Sequence, residues 1–171
     1  MDINVTNTFE KTYDAYHAVT NQELIDKTKY TVVPPVYKYR QIVNCGGSRS
    51  SKSYSTLQLL LLEMISRKNI KITVWRNTKV DCRGTVMEDF KNIIMFDWKV
   101  FKDIKENQQR GSFTYKPTNS KIVFEGADST GKVHGLTQDI SFFNEVNNFK
   151  KEVYLQITQN TLSDVLCVIC K

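Results

Sequence analysis

The sequence predicts an α/β domain with a mostly parallel sheet that helices cover on both faces. Short segments rich in β-branched and aromatic residues alternate with segments of helical periodicity, which is the pattern of strand–helix–strand units. The chain has 171 residues, enough for one compact domain. Its composition, 40% hydrophobic and 25% charged, argues against disorder throughout.

An N-terminal arm precedes the main domain. The apolar residues of 8–28 recur at helical spacing and predict one or two amphipathic helices. Pro34 and Pro35 then interrupt any helix. We therefore divide the chain into a helical arm over residues 1–36 and a main domain over residues 37–171.

The main domain begins with a strand over 38–45 that runs into a Gly- and Ser-rich loop. A helix from about Lys52 to Arg67 follows. The remaining predicted elements are, in chain order, a strand over 70–76, a helix over 82–104, two short strands over 111–117 and 120–127, a strand over 139–145, a helix over 147–159 and a strand over 164–170. We interpret the two short strands as an antiparallel addition to the main sheet.

Composition also limits the partner and the compartment. With 24 Lys and Arg against 18 Asp and Glu, the formal charge is +6, which favours polyanionic partners but also occurs in small basic domains without nucleic acid. The four scattered cysteines and two histidines do not match a zinc-site pattern, so we expect free thiols in a reducing cytoplasm. The longest apolar run, LQLLLLEMI, is too short to cross a bilayer, and no membrane insertion is expected.

The loop after the first strand matches a phosphate-binding pattern. Residues 46–53 read GGSRSSKS, against the pattern G-x-x-x-x-G-K-[ST], with serine in place of the second glycine. Backbone amides of such a loop and the following helix N-terminus bind phosphates, the lysine reaches the β- and γ-phosphates, and the next hydroxyl ligates Mg²⁺. The sequence therefore predicts an ATP and Mg²⁺ site formed by Gly46, Gly47, Ser48, Arg49, Ser50, Ser51, Lys52, Ser53 and Tyr54.

Two residues leave the interpretation of this loop open. Ser51 adds a Cβ atom that fits readily at negative φ and costs about 1–2 kcal/mol at positive φ. Arg49 has no structural role in such a loop, so its guanidinium either faces solvent or stabilises charge on the γ-phosphate. A Ser-rich turn before a capped helix is the alternative, but the preceding strand and the apolar helix favour nucleotide binding.

A second polar pair ends the strand over 139–145, where hydrophobic residues are followed by Asn144 and Glu145. A phosphate loop of this kind works with a metal-side group at a neighbouring strand end and with a group that activates water. We predict that Asn144 holds a metal-bound water through its carbonyl oxygen and that Glu145 is the general base. Alone, the pair would also suit a helix cap, but the loop upstream favours catalysis.

Four segments in series carry a family resemblance. They are GGSRSSKSYS, KITVWRNTKVDCRGTVMEDFKNII, SKIVFEGADSTGKVHGL and DISFFNEVNNFKKEVYLQI, which together cover residues 39–160. In this order they resemble the ATPase domain of the large terminase subunit of tailed bacteriophages. The resemblance implies a P-loop NTPase fold of the class with an additional strand and a catalytic glutamate. It also implies an ATP-driven motor that moves double-stranded viral DNA into a preformed capsid.

The resemblance assigns roles residue by residue. Lys52 and Ser53 become the phosphate and Mg²⁺ ligands, and Arg49 becomes a loop arginine that acts as a finger. Glu145 becomes the catalytic carboxylate, and Asn144 falls on the metal-side position. The implied partners are double-stranded DNA, the terminase small subunit and the portal or prohead, with a homo-oligomeric ring at full length and a monomer as a fragment. The implied location is the host bacterial cytoplasm, outside the mature virion.

Three departures from the family pattern keep other functions open. Ser51 replaces the loop glycine, Gln159 and Asn160 stand where the family often has arginine, and the chain stops within the strand that carries the coupling motif. We expect a C-terminally truncated ATPase domain without the nuclease domain. The alternatives are a catalytically impaired nucleotide-binding module or remnant used in assembly, and another P-loop phosphotransferase such as a nucleotide kinase, against which the lack of an Arg-rich lid segment counts.

Basic residues of the central segment are the predicted DNA contacts, although each would also suit a solvated surface. We expect weak, salt-sensitive and sequence-independent binding. Arg76, Arg83 and Arg110 are also candidates for reaching the nucleotide of a neighbouring subunit in a ring. The predicted DNA contacts are Lys79, Arg83, Lys102, Lys105 and Arg110.

Overall fold

The computed structural model of the chain describes residues 7–16, 41–46, 51–128 and 137–170, with 163–170 described by their backbone alone. Seven strands in these ranges form one sheet. The strands are β1 (Gln41–Gly46), β2 (Lys71–Arg76), β3 (Ile104–Asn107), β4 (Ser112–Tyr115), β5 (Ser120–Gly126), β6 (Gln138–Asn144) and β7 (Thr161–Cys170). Their order in the sheet is β1-β7-β6-β2-β5-β4-β3.

Helices flank this sheet. A continuous helical path runs from α3 (Lys79–Asp81) through a π-helical turn (Cys82–Val86) into α4 (Met87–Asn92) and a second π-helical turn (Ile93–Asp97). Short 3₁₀ turns occupy Phe101–Asp103 and Val146–Asn148. In the described ranges, no helix is both long and apolar enough to cross a membrane. The α-helices are α1 (Asn7–Tyr16), α2 (Lys52–Ser66), α3 (Lys79–Asp81), α4 (Met87–Asn92) and α5 (Lys151–Gln159).

The sheet is mostly parallel, as predicted. Strands β1, β7, β6, β2 and β5 run parallel, while β4 and β3 continue the sheet in antiparallel pairing. The last strand in sequence, β7, lies between β1 and β6 and pairs in parallel with both, with one register irregularity between Gln138 and Ile140 of β6. Because the strands are parallel, the carboxyl ends of β1, β6 and β2 meet at one edge of the sheet, where ligands bind in open α/β folds.

Both faces of the sheet are covered, which confirms the predicted layers. Successive residues of a strand point to opposite faces, so Val74 of β2 lies in one core and Trp75 in the other. The larger core packs the leucines of α2 and Phe90 of α4 against the sheet. On the other face, Trp75 packs with Phe143 of β6 and with α5 residues that include Val153.

The N-terminal helix packs on the larger core. Phe9 and Tyr16 of α1 are buried there. Tyr16 donates to the Glu63 carboxylate of α2 at 3.4 Å, and the Asn44 amide of β1 donates to the Thr12 hydroxyl at 3.0 Å. The predicted boundary near residue 36 and the part of the predicted arm that follows α1, residues 17–36, lie outside the described residues.

Two sequence-based expectations for the central segment are wrong. The helix predicted over 82–104 leaves helical structure after Asp97, because Lys99 adopts a positive φ of 53° that a helix cannot continue. The chain then forms β3, an edge strand that was not predicted. The two short strands pair in antiparallel fashion as expected, but β5 also pairs in parallel with β2 and is an integral strand of the sheet.

Two of the predicted free thiols lie in the part of the chain whose side chains are described. Cys45 is exposed on β1, and Cys82 is buried under the helical path. Burial raises the pKa of the Cys82 thiol to about 12, so this thiol is protonated and unreactive at neutral pH. The side chains of Cys167 and Cys170 lie outside the described set.

The carboxyl end of β5 requires glycine. A Cβ atom on Gly126 would lie 2.1 Å from the backbone nitrogen and 2.7 Å from the Cα atom of Lys79, at the start of α3. We predict that Gly126→Ala lowers the free energy of unfolding by about 1–3 kcal/mol, since backbone must shift to admit the methyl group. Urea denaturation measures this change.

Gly84 provides the matched control for that substitution. It lies in the first π-helical turn, and a Cβ atom there meets no heavy atom within 4 Å. Gly84→Ala should therefore leave stability unchanged or raise it by up to about 1 kcal/mol. Equal losses in the two variants would contradict the close approach at Gly126.

Candidate functional site

The predicted lysine and serine lie at the first turn of α2. Lys52 and Ser53 are its first residues, so their backbone amides belong to the helix N-terminus, which lacks intrahelical partners and attracts anions. The Lys52 ammonium donates to the Gly46 carbonyl at 3.1 Å, and the side chain is 6% exposed. This bond joins the end of β1 to the start of α2 across the loop.

The middle of the predicted loop is outside the described residues. Gly47, Ser48, Arg49 and Ser50 belong to this part, so their predicted roles stay predictions. The described residues on either side, Gly46 and Ser51, bracket the loop.

Ser51 adopts the left-handed conformation, with φ 57° and ψ 9°. Its side chain forms no capping hydrogen bond to α2, so the capped-helix alternative finds no support at this residue. The serine therefore stands where the backbone favours glycine, and its left-handed conformation costs about 1–2 kcal/mol.

Asn144 meets Ser53 at the sheet edge. The Asn144 amide nitrogen donates to the Ser53 hydroxyl at 2.5 Å across 91 positions of sequence. Asn144 is the last residue of β6 and is 3% exposed. The two predicted metal-side residues are thus in direct contact, although they come from different strand–helix units.

Glu145 follows in a constrained conformation. Its backbone is left-handed, with φ 58° and ψ 52°, and its side chain caps no helix. The Arg76 guanidinium holds Oε1 at 2.9 Å, and the Asn148 amide donates to Oε2 at 3.1 Å. Since the Glu145 side chain is still 30% exposed, solvent reaches the carboxylate beside these two contacts.

Arg76 contacts Glu145 within the site, whereas the sequence suggested it only as a candidate for reaching the nucleotide of a neighbouring subunit. It ends β2, and its guanidinium also donates to the Thr85 hydroxyl. Asp89 faces the same guanidinium: burial raises the pKa of the Asp89 carboxyl, and the charge of Arg76 opposes that rise. The parallel pairing of β2 with β6 brings Arg76 to Glu145, a juxtaposition that strand order reveals and local sequence does not.

Tyr54 points its hydroxyl away from the predicted nucleotide contacts. The hydroxyl donates to the Asp97 carboxylate at 2.5 Å. Burial, reinforced by this bond and the Asp97 charge, raises the pKa of the Tyr54 phenol well above its usual value. Its predicted nucleotide contact therefore depends on its backbone amide in the first turn of α2.

The other predicted basic residues are distributed around the sheet. Lys79 pairs with Glu125 at 2.8 Å, and Arg83 donates to the Gln109 carbonyl at 2.8 Å. Lys102, Lys105 and Arg110 are exposed. Of the predicted DNA contacts, Lys79 and Arg83 thus have partners within the domain.

No group of three or more His, Cys, Asp or Glu side chains in the described ranges is arranged to hold a metal ion. The oxygen atoms of Ser53 and Asn144 are of the kind that Mg²⁺ prefers, but both side chains are neutral. A cation here would need the negative charge of bound phosphates, which is how Mg²⁺ usually binds at nucleotide sites.

Comparison with known proteins places this geometry in context. The family model of the phage terminase large subunit matches residues 38–165. The chain is similar to the large terminase of bacteriophage HK97, with a TM-score of 0.68 and 11% identity over 97% of this chain and 38% of that one. It is also similar to the large terminase of a thermophilic bacteriophage in complex with ATP-γ-S, with a TM-score of 0.65 and 16% identity over 88% and 38% of the two chains.

A third similar structure is the large terminase ATPase domain of Thermus phage P74-26, with a TM-score of 0.63 and 15% identity over 78% of this chain and 61% of that one. The chain thus spans less than two thirds of each of these proteins. Among curated protein sequences, none matches it significantly. At these identities the structural likeness establishes the fold, and the family-model match covers most of the chain.

The left-handed serine yields a stability prediction. Ser51→Gly should raise the free energy of unfolding by about 0.5–1 kcal/mol, because relief of the backbone strain exceeds the added entropy of glycine in the unfolded chain. Ser51→Ala is the control: it keeps the strain and loses no capping bond, so stability should stay unchanged. Thermal and urea unfolding measure both variants, and equal stability of the two would contradict the strained conformation.

Proposed function

The chain belongs to the phage terminase large-subunit family, and we propose that it is an ATP-hydrolysing motor domain that drives double-stranded viral DNA into a capsid. One observation carries the proposal: the hydrogen bond between Ser53 and Asn144 joins the first turn of α2 to the end of β6. It assembles the two halves of a nucleotide site from residues far apart in sequence. The similar terminase in complex with ATP-γ-S supports ATP as the nucleotide.

Phosphate binding follows from the geometry of α2. The backbone amides of its first turn and the adjacent Lys52 ammonium offer a positive site for the phosphates. The Lys52 ammonium donates to the Gly46 carbonyl, and in this proposal it turns from that carbonyl to a phosphate oxygen. In this proposal the predicted loop residues, including Arg49, surround the same phosphates.

The Ser53–Asn144 pair fits Mg²⁺ bound together with the nucleotide. Rotating the Asn144 amide by half a turn would place its carbonyl oxygen against the Ser53 hydroxyl, which leaves a lone pair of Ser53 for the cation. Mg²⁺ supplies positive charge beside the phosphates when it is bound. The buried Asn144 then orients Ser53 and holds a metal-bound water through the same carbonyl oxygen, which can accept two hydrogen bonds.

Glu145 is the proposed general base. Its carboxylate accepts the proton of the attacking water, which makes that water a stronger nucleophile. Arg76 and Asn148 hold the two carboxylate oxygens and thereby fix the orientation of the side chain. Arg76 is a positioning residue in this scheme, since its contact is with Glu145.

The same contacts favour a second candidate function, a nucleotide-binding module without catalysis. Both oxygens of Glu145 are already bonded, and the metal-side residue is the neutral Asn144 rather than aspartate. If Arg76 never releases or redirects Glu145, bound ATP would persist. Such a module would serve assembly of the packaging machinery.

We also propose the partners and the location that follow from the family. These are double-stranded DNA, the terminase small subunit and the portal or prohead, with a ring of identical subunits as the active assembly. Packaging of this kind takes place in the host bacterial cytoplasm. The match of the family model to residues 38–165 supports these assignments.

ATP turnover tests the proposed function. The chain should hydrolyse ATP in the presence of Mg²⁺, and Lys52→Ala should abolish activity by removing the phosphate contact. Glu145→Gln should lower kcat by about 10²- to 10⁴-fold and preserve nucleotide binding, since only proton acceptance is lost. Phosphate release and ATP-γ-S binding measure the two effects separately.

Glu152→Gln supplies the matched control, because Glu152 is an exposed carboxylate of α5 without a contact to the described residues of the site. Its kcat should equal that of the wild type. Binding of ATP without turnover by the wild type would favour the non-catalytic module. Turnover unaffected by Glu145→Gln would rule out the assigned base.

The neutral metal-side residue gives a further prediction. Asn144→Asp should lower the Mg²⁺ concentration needed for half-maximal ATPase activity, because a carboxylate attracts the cation more strongly than an amide does. Asn144→Ala should raise that concentration, since the partner of Ser53 is lost. A magnesium titration at fixed ATP measures both, and identical midpoints in all three proteins would remove Asn144 from the metal side.

A further inference from the structure

We propose that a cluster of lysines at the amino ends of the strands is the surface that contacts the DNA backbone. The Ser53–Asn144 pair lies at the opposite, carboxyl ends. This inference rests on the proposed function, which supplies duplex DNA as the partner. The lysines come from three separate segments of the chain. We name the cluster the lysine edge, and it consists of Lys68, Lys71, Lys102, Lys105, Lys116 and Lys121.

Strand register aligns three of these lysines in one row. Lys105 of β3 pairs with Thr114 of β4, Thr114 pairs with Lys121 of β5, and Lys121 pairs with Lys71 of β2. Paired residues share a face of the sheet, and neighbouring strands lie about 4.8 Å apart. The row therefore spans about 14 Å, from the edge strand to the centre of the sheet.

The row lies on the face opposite the larger core. Ile72 of β2 and Ile122 of β5, each next in sequence to a lysine of the row, are buried in that core. The two lysines therefore point to the other face. There, α5 packs on Trp75 and Phe143 toward the carboxyl ends of the strands, which leaves Lys71 and Lys121 partly exposed at the amino ends.

Hydrogen bonds between loops bring the remaining lysines to the same edge. The backbone amide of Asn69, the residue after Lys68, donates to the Thr118 carbonyl at 3.0 Å. Thr118 lies in the loop that leads to Lys121. The Lys116 ammonium donates to the Lys102 carbonyl at 2.9 Å. Lys68, Lys102 and Lys116 are exposed, so the row and its flanks form one basic surface.

Little negative charge opposes this surface. In the described part of the chain, Lys68, Lys102, Lys105 and Lys121 form no ion pair with a carboxylate. The ammonium groups of Lys71 and Lys116 donate to the carbonyls of Thr137 and Lys102, which leaves their charge in place.

The neighbouring carboxylates have other partners or stand apart. Asp139 accepts from the Lys71 backbone amide at 2.7 Å, and Glu106 of β3 pairs with Lys91 at 3.3 Å. Asp103 is the exposed carboxylate beside Lys102. The local balance thus remains strongly positive, whereas Lys79 and Arg83 already have partners within the domain.

The chemistry of the row favours duplex DNA over unpaired nucleic acid. Its members are lysines and a threonine, which suit phosphate contacts and carry no base specificity. Single-stranded nucleic acid is usually held on aromatic side chains that stack with bases, and the row contains none. Strand β2 joins the two sites directly, with Lys71 at its start and Arg76, the partner of Glu145, at its end.

Duplex binding by a charge-reversed variant tests the proposal. The full chain with Lys105→Glu and Lys121→Glu should bind a fluorescein-labelled duplex of about 30 base pairs at least about tenfold more weakly at low salt. The slope of log affinity against log salt should fall by about 2, because two phosphate contacts are lost. Lys11→Glu with Lys151→Glu is the matched control: both lysines are exposed, lie outside the lysine edge and change the net charge equally.

Three outcomes would overturn the lysine edge as a duplex surface: equal losses in both double variants, unchanged affinity in the first, or tighter binding of a single-stranded RNA of equal length. ATP hydrolysis without DNA should be the same in all three proteins. Turnover without duplex binding would refute the lysine edge and leave the proposed ATPase standing. Duplex binding through these lysines without ATP turnover would support the lysine edge and refute the proposed ATPase.

Discussion

The position of β7 between β1 and β6 is the constraint on which the site depends. It sets the distance between the strand that leads into the loop and the strand that ends in Asn144, so that Ser53 and Asn144 meet. A buried polar chain stabilises the pairing of β6 with β7: the Gln138 amide donates to the Ser141 hydroxyl at 2.6 Å, and Ser141 bonds the Thr161 hydroxyl at 2.7 Å. Because unpaired buried polar groups are costly, a shift of register would break this chain.

Arg76 connects the site to the rest of the sheet. Its guanidinium contacts Glu145 of the neighbouring strand end and Thr85 of the helical path, and it opposes the raised pKa of Asp89. The same residue therefore contacts both the carboxylate proposed as the general base and the helices that cover the larger core. A change in the partners of Arg76 would move the positive charge of its guanidinium between Glu145 and the helical path. The backbone hydrogen bonds of the sheet would stay intact.

Local sequence was sufficient for the parts of the site that lie at strand ends. Ser53 and Asn144 lie in contact because parallel strands place their carboxyl ends at one edge, and the roles assigned to Lys52, Ser53 and Asn144 stay predictions. The Arg76–Glu145 pair could not be predicted, and of the lysine edge only Lys102 and Lys105 were predicted as DNA contacts. Both arrangements depend on register between segments far apart in sequence. The end of the central helix was missed because a positive φ at Lys99, a residue with no preference for it, stops the helix.

The two halves of the site differ in how firmly the sheet holds them. In the described ranges β1 has a neighbouring strand on one side only, whereas β6 and β2 are flanked on both sides. One ladder of backbone hydrogen bonds thus resists displacement of the half that ends in Gly46, and two resist displacement of the half that carries Asn144 and Glu145. The half of the site that ends in Gly46 is therefore the more easily displaced of the two. Exchange of a ligand between the halves should move it relative to the half that carries Asn144 and Glu145.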